Sequence, residues 1–291
     1  MQDVYEGIGS GVKRGEGKSL AIIEQVPKYG DPAGAQIWGY SPTISRGTMF
    51  VRRIIGTVPV ESDGSAHFTA PAIRDISFNA LDAEGRMIRH MGSTLHIMPG
   101  ETQSCLGCHE TRGKAPERGP KAVIAARRAP SVPKYPSWTE KGIIDFTKVV
   151  QPVLDKHCIK CHSGPTPKKG VDLSGDKTHS HSMAYDQLLD RGMVHYVPVA
   201  GTGHDNSSPK ARGSYVSKIR KHIETDFCVP KPLPLEDRQR IYTWIDANVP
   251  YFGTYEFTNS RVMGGRERWY VTDKNKWFRR DFEPVFNRRC L

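Results

Sequence analysis

Two pentapeptides, Cys105-Leu-Gly-Cys-His109 and Cys158-Ile-Lys-Cys-His162, constrain this chain more than anything else in it. Each sets two thiols three residues apart and follows the second directly with an imidazole. That order suits one chemistry closely. Two cysteine sulfurs add to the vinyl groups on one edge of a porphyrin, and the adjoining histidine turns to the iron as proximal ligand. Zinc ribbons also use C-x-x-C pairs, but they place the second pair about 15–20 residues after the first. Here the pairs lie much farther apart, and both carry His where a c-type haem requires it. A redox dithiol needs neither the histidine nor a second copy. Cys105, Cys108, Cys158 and Cys161 are therefore expected to attach two haem c groups, with His109 and His162 as proximal ligands.

The approach to the second motif, Gln151-Pro-Val-Leu-Asp-Lys-His-Cys158, returns at the end of the chain as Glu283-Pro-Val-Phe-Asn-Arg-Arg-Cys290. The copy stops where its second Cys and its His are due. Three expectations stand side by side. The chain continues past Leu291; or Cys290 holds a third haem through one thioether, completed by Cys228 or by another chain; or Cys228 and Cys290 form a disulfide in an oxidising compartment. A site completed by a neighbour makes contacts head-to-tail, which give rings or open filaments. A homopolymer with haems in series would conduct electrons along an extracellular filament.

At 291 residues, with 37% apolar and 25% charged residues, the chain is long enough for one large or two ordinary globular domains. No run approaches the ~18 apolar residues of a membrane helix, and residues 1–20 are too polar for a signal peptide. Covalent haem attachment takes place outside the cytoplasmic membrane in bacteria, so a periplasmic or extracellular location is expected, with a leader either missing from this sequence or cleaved from the protein. The net charge of +11 raises nucleic acid as a partner, but the basic residues are scattered and no binding motif accompanies them. Four haem propionates would lower the charge to roughly +7. The expected partners are redox proteins, a terminal acceptor, or other haem-bearing chains.

An α+β fold follows from the patterning. Residues 20–26, 48–60, 65–70, 76–82 and 94–98 are short, rich in β-branched or aromatic residues, and separated by turn signals such as Asp63-Gly64 and Glu84-Gly85. Together they predict a β-rich, sandwich-like domain over residues 1–111 that ends in the first motif. A linker crowded with Pro, Gly and basic residues follows over 112–140. The period then turns helical across 141–258, where short helices around a cofactor suggest a cytochrome c-like domain. Phe146, Val149, Val150, Val153 and Leu154 share a face, Pro152 begins or kinks a helix, and residues 236–248 bury Ile241, Trp244 and Ile245. Residues 259–291 form an extension with the incomplete third motif. Trp244, Trp269 and Trp277 read as packing rather than electron stepping-stones.

Sixth ligands decide between relay and catalysis, because electron transfer favours two protein ligands and catalysis an exchangeable position. For the second haem the first candidate is His222, a lone imidazole on the otherwise apolar face of Tyr215, Ile219 and Ile223; His195 is the next. For the first haem His96, just before the motif on a predicted strand, ranks above His90 and His67. Met98, Met183 and Met193 are thioether alternatives. His157, directly before Cys158, either reaches a neighbouring haem or serves as a helix C-terminal histidine. The His179–Met183 tract is either a metal-binding stretch or simply exposed.

On the phrases around both motifs, residues 98–110 and 146–162, and on residues 240–256, the chain resembles the C-terminal part of the hydrazine synthase alpha subunit family. The resemblance implies a β-rich middle domain joined to a cytochrome c-like one. It also implies Cys105/Cys108 and Cys158/Cys161 as attachment sites, with His109 and His162 as proximal ligands. Two departures stand out: there is no room for the family's large N-terminal propeller, and the first tyrosine after the first motif is Tyr135, where the family ligates a haem by a tyrosine just after it. The leading expectation is electron transfer by a multihaem c-type cytochrome. The alternative is a haem enzyme, or part of one, acting on small nitrogen compounds.

Overall fold

Leu20, Ala21, Ile22 and Ile23 are all buried, a run that a strand tolerates only when both of its faces are covered. They lie in β1 (Ser19–Val26), which pairs antiparallel with β2 (Val51–Pro59) on one side and β3 (Asp75–Leu81) on the other; β4 (Met87–His90) pairs with β3. The computed structural model describes residues 1–27, 45–48, 50–108, 123–178, 181–197, 208–225 and 232–254. Within them the sheet order is β2-β1-β3-β4.

The pleat divides the sheet's apolar residues between two cores. Leu20, Ile22, Ile76, Ala80 and Ile88 pack with Val4 and Ile8 of the N-terminal segment. Ala21, Ile23, Leu81 and Met87 face the other way and join a larger core shared with the helices. Ile22 pairs with Gly56 and Ile23 with Ile54, so Ile55 is an extra residue and β2 bulges there. Gly56 takes φ 149, and a β-carbon on it would meet the main chain of Lys134, which crosses the sheet edge at that point. The β3–β4 hairpin turns on Asp82, whose Oδ1 accepts from the N–H groups of Glu84 and Arg86, both at 2.9 Å.

The helices are α1 (Phe146–Val149), α2 (Gln151–His157), α3 (Met183–Asp190), α4 (Arg220–Ile223) and α5 (Leu235–Asp246). Asp145 caps α1 by accepting from Thr147 N–H at 2.9 Å, and its other oxygen accepts from Gly253 N–H at 3.0 Å. The break between α1 and α2 falls at Val150, and Pro152 sits in the first turn of α2, where its missing N–H leaves no helical bond unmade. Phe146 forms the hub of the core, 5.1 Å from the Trp244 ring and 5.2 Å from Tyr185. Trp244 also donates to the Pro250 carbonyl at 2.9 Å, so this tryptophan is a packing residue as expected.

The α+β class holds. Within it, residues 65–70 and 94–98 contribute only the isolated bridges Phe68–Ser131 and Ile76–Leu95, while the unexpected strand is β4. In the 65–70 stretch, Thr69 N–H donates to the Ser131 carbonyl at 3.0 Å and the His67 carbonyl accepts from Ser131 N–H at 2.9 Å, so these groups bond a crossing loop rather than a ladder. No helix among the described residues is long and apolar enough to cross a membrane.

Candidate functional site

The second pentapeptide grows out of the end of α2. Cys158 N–H donates to the Leu154 carbonyl at 2.7 Å, and the Cys161 and His162 N–H groups both return to the Cys158 carbonyl, at 3.1 and 3.0 Å. The helix thus closes into a turn that sets both thiols and the imidazole on one short arc. The following loop folds back over it: Leu173 N–H donates to the His162 carbonyl at 2.7 Å, and the Lys168 N–H to the Cys161 carbonyl at 2.8 Å.

The His162 ring shows how it is prepared. Its Nδ1 lies 3.1 Å from the Val171 carbonyl. A carbonyl can only accept, so Nδ1 carries the hydrogen and Nε2 keeps its lone pair, the tautomer that a metal-ligating histidine needs. His222 comes from α4 into the same neighbourhood. Burial, and then the nearby His162 and Lys221, hold its imidazole below the usual pKa, which favours a neutral ring. His162 and His222, predicted as proximal and distal ligands, are therefore brought within each other's field.

His195 and His157 take other roles. His195 accepts from Gly213 N–H through Nδ1 at 3.2 Å and lines a chamber against the sheet. His157 Nε2 lies 2.8 Å from Asp237 Oδ2, and Lys156 reaches the same oxygen at 3.1 Å. Burial works against the Asp237 charge, but these two partners hold its carboxyl below the ordinary range. His157 thereby ties the end of α2 to the start of α5.

The first pentapeptide is pinned by the N-terminal segment. Gln2 N–H donates to the Cys105 carbonyl at 2.8 Å, Asp3 N–H to Leu106 at 3.0 Å, and Cys108 N–H to Glu6 at 2.9 Å. Gly107 is pressed against the Glu6 main chain so closely that a β-carbon would collide with its carbonyl. Cys105 and Cys108 open on a cavity of about 450 Å³ walled by Leu20, Phe78, Ala80 and Leu95. Burial pushes the Cys108 thiol up to about 12. A thioether carries no charge, and the apolar wall of Leu20, Phe78, Ala80 and Leu95 suits the edge of a porphyrin.

His96, the favoured sixth ligand for this cavity, is 63% exposed and its Nε2 sits 2.9 Å from Asp75 Oδ1. A strand was expected at 94–98, but only Leu95 makes a bridge there, and His96, next to it, lies at the surface against Asp75. His67 is exposed, and so is Met98, at 62%. The cavity wall instead contains His90 and Met91, together with Arg89. Met91 N–H donates to the Phe78 carbonyl at 2.8 Å, a continuation of β4 beyond His90 that no periodicity in so short a segment reveals. His109, Cys228 and Cys290, the third motif over 283–291 and His179 lie outside the described residues. Among those described, no three of His, Cys, Asp or Glu gather into a metal-ion site.

Fold and sites together define an α+β chain in which an antiparallel sheet carries one C-x-x-C-H sequence and a part built of short helices carries the other. The chain resembles the hydrazine synthase alpha subunit: residues 15–110 match the family model of that subunit's middle domain. Among solved structures, Kuenenia stuttgartiensis hydrazine synthase superposes with a TM-score of 0.56 at 20% identity, covering 87% of this chain and 41% of that one. The chain thus spans about two fifths of that protein's length. No curated protein matches it.

Proposed function

We propose that this chain is a two-haem part of an enzyme acting on small nitrogen compounds, of the hydrazine synthase alpha kind. In this reading the first motif holds the reactive haem and the second holds an electron relay. Bound haem supplies an iron that changes oxidation state and accepts small ligands. Cys105 and Cys108 anchor one group, and Cys158 and Cys161 the other. His162 would offer Nε2 to the iron because Val171 fixes its tautomer, and His222, held neutral nearby, would be the second imidazole available to it.

The observation that carries the reading is the asymmetry between the two sites. The second motif has a partner imidazole in its neighbourhood. At the first, the expected partner His96 bonds Asp75 on the surface, and the cysteines face a cavity of about 450 Å³ with room for a small ligand beside the His90 and Met91 of its wall. A relay alone would call for closed coordination at both. The match of residues 15–110, the segment that builds this cavity, to a hydrazine synthase middle domain supports the same assignment. Covalent haem attachment of this kind would go with a periplasmic or extracellular location, and with redox proteins and other subunits as partners.

The test is spectroscopic. The intact mass should exceed that of the polypeptide by two haems. Electron paramagnetic resonance should show one low-spin and one high-spin ferric centre, with nitric oxide binding only the latter. His222→Ala should convert the low-spin signal to high-spin. Two low-spin centres, both inert to nitric oxide, would return the chain to the electron-carrier reading.

A further inference from the structure

A second chamber, of about 400 Å³, lies on the opposite face of the sheet from the Cys105–Cys108 cavity, between Gln25, Arg52 and Asn79 of the strands and His195, Arg212 and Asp246 of the helical part. Gln25 and Arg52 are paired across β1 and β2, so both side chains leave the sheet on this face. The exposed residues Gly92 and Ser93 form its mouth.

The wall chemistry selects for an anion. Arg52 and Arg212 carry permanent charges and come from two separate parts of the chain to one space. His195 accepts from Gly213 N–H through Nδ1; a backbone N–H can only donate, so the neutral ring bears its hydrogen on Nε2 and is itself a donor there. Asp246, the one carboxylate among the described wall residues, spends its oxygens on Ser214, accepting from its N–H at 2.7 Å and its hydroxyl at 2.8 Å. Burial also drives that carboxyl toward its neutral form. Two guanidinium groups in a walled space concentrate counter-charge, and planar forks suit a carboxylate or other oxyanion.

We propose that this chamber binds a small oxyanion, through Arg52, Arg212 and His195. The shared chemistry could come from a free ligand or from the carboxylates of a haem held next door; the sheet lies between the two spaces, so the free ligand is the assignment made.

Isothermal titration of the full haem-loaded chain with sodium nitrite, sodium acetate and potassium phosphate, at constant ionic strength in chloride, tests it. At least one should bind saturably, one per chain, without moving the Soret band. Arg212→Gln should weaken binding about tenfold, and Arg52→Gln should do the same, with the melting temperature of each variant measured beside the parent's to show that it is folded. The proposal fails if none of the three saturates, or if both variants bind as tightly as the parent. It also fails if the iron takes on the spectrum of an anion-ligated haem as the heat saturates, which locates the anion on iron. A changed haem reduction potential in the arginine variants without any anion binding assigns the pair to haem carboxylates and overturns it too. Because the readout is heat rather than turnover, the chamber stands or falls separately from the reaction assigned to the first motif.

Discussion

At the scale of single residues, Gly107 decides whether the first motif can sit where it does. A side chain there would collide with Glu6 and force the strand of contacts from Gln2 to Cys108 apart. Gly107→Ala should cost about 1–3 kcal/mol and lower the yield of protein with two haems, measured by intact mass; full loading and an unchanged melting temperature would refute it. Asp246 offers a second test. Burial pushes its carboxyl from 3.8 up to about 7, so the folded state holds a proton that the unfolded chain releases. Stability is then full below about pH 4 and declines as pH rises toward 7. Relative to Asp246→Asn, the parent should lose roughly 4 kcal/mol over that interval, read from urea unfolding at both ends. The spacing of thiols and imidazole in both motifs, and His222 as a polar residue beside the buried Ile219 and Ile223, were legible in the sequence. The surface position of His96 was not, since it depends on whether residues 94–98 form a ladder, and the setting of Asp246 was not, since the Ser214 groups that bond it come from 32 residues away in sequence.

Among the elements, the tie between α2 and α5 is the most exposed to experiment. Asp237 sits in the first turn of α5 with His157 and Lys156 from the last turn of α2, so it joins two helix ends of opposite dipole. Its carboxyl is held below 3.8 in the folded state. The stabilisation is therefore present above that value and lost as pH falls through the lower one. Asp237→Asn should destabilise by about 1 kcal/mol at pH 7, and the gap should close below pH 4 in acid unfolding. Strands β1, β2 and β3 could be read because each is an apolar run bounded by turns. Strand β4 could not: four residues with two arginine or histidine side chains, Met-Ile-Arg-His, carry no period of their own and are recruited by the Asp82 turn. Helix α1 was visible in Phe146 and Val149, though its separation from α2 needed the backbone at Val150.

In the whole molecule, sheet and helices are one cooperative body, because a single core runs from Ala21 and Ile23 to Trp244 and Phe252. Glu224 reinforces it, accepting from Tyr242 at 2.6 Å, from Arg220 at 2.7 Å and from Arg86 of the hairpin at 3.3 Å. Glu224→Gln should lower the melting temperature by several degrees while far- and near-ultraviolet dichroism still melt together; a separate early transition of the sheet would contradict the shared core. The stretch from His90 to Ser93 belongs to this scale as well, since it borders both the Cys105–Cys108 cavity and the polar chamber. A partition held in common makes its two rooms interdependent. Any occupant that leans on Met91 from one side changes the room left on the other, and by linkage the second occupant alters the grip on the first by the same factor.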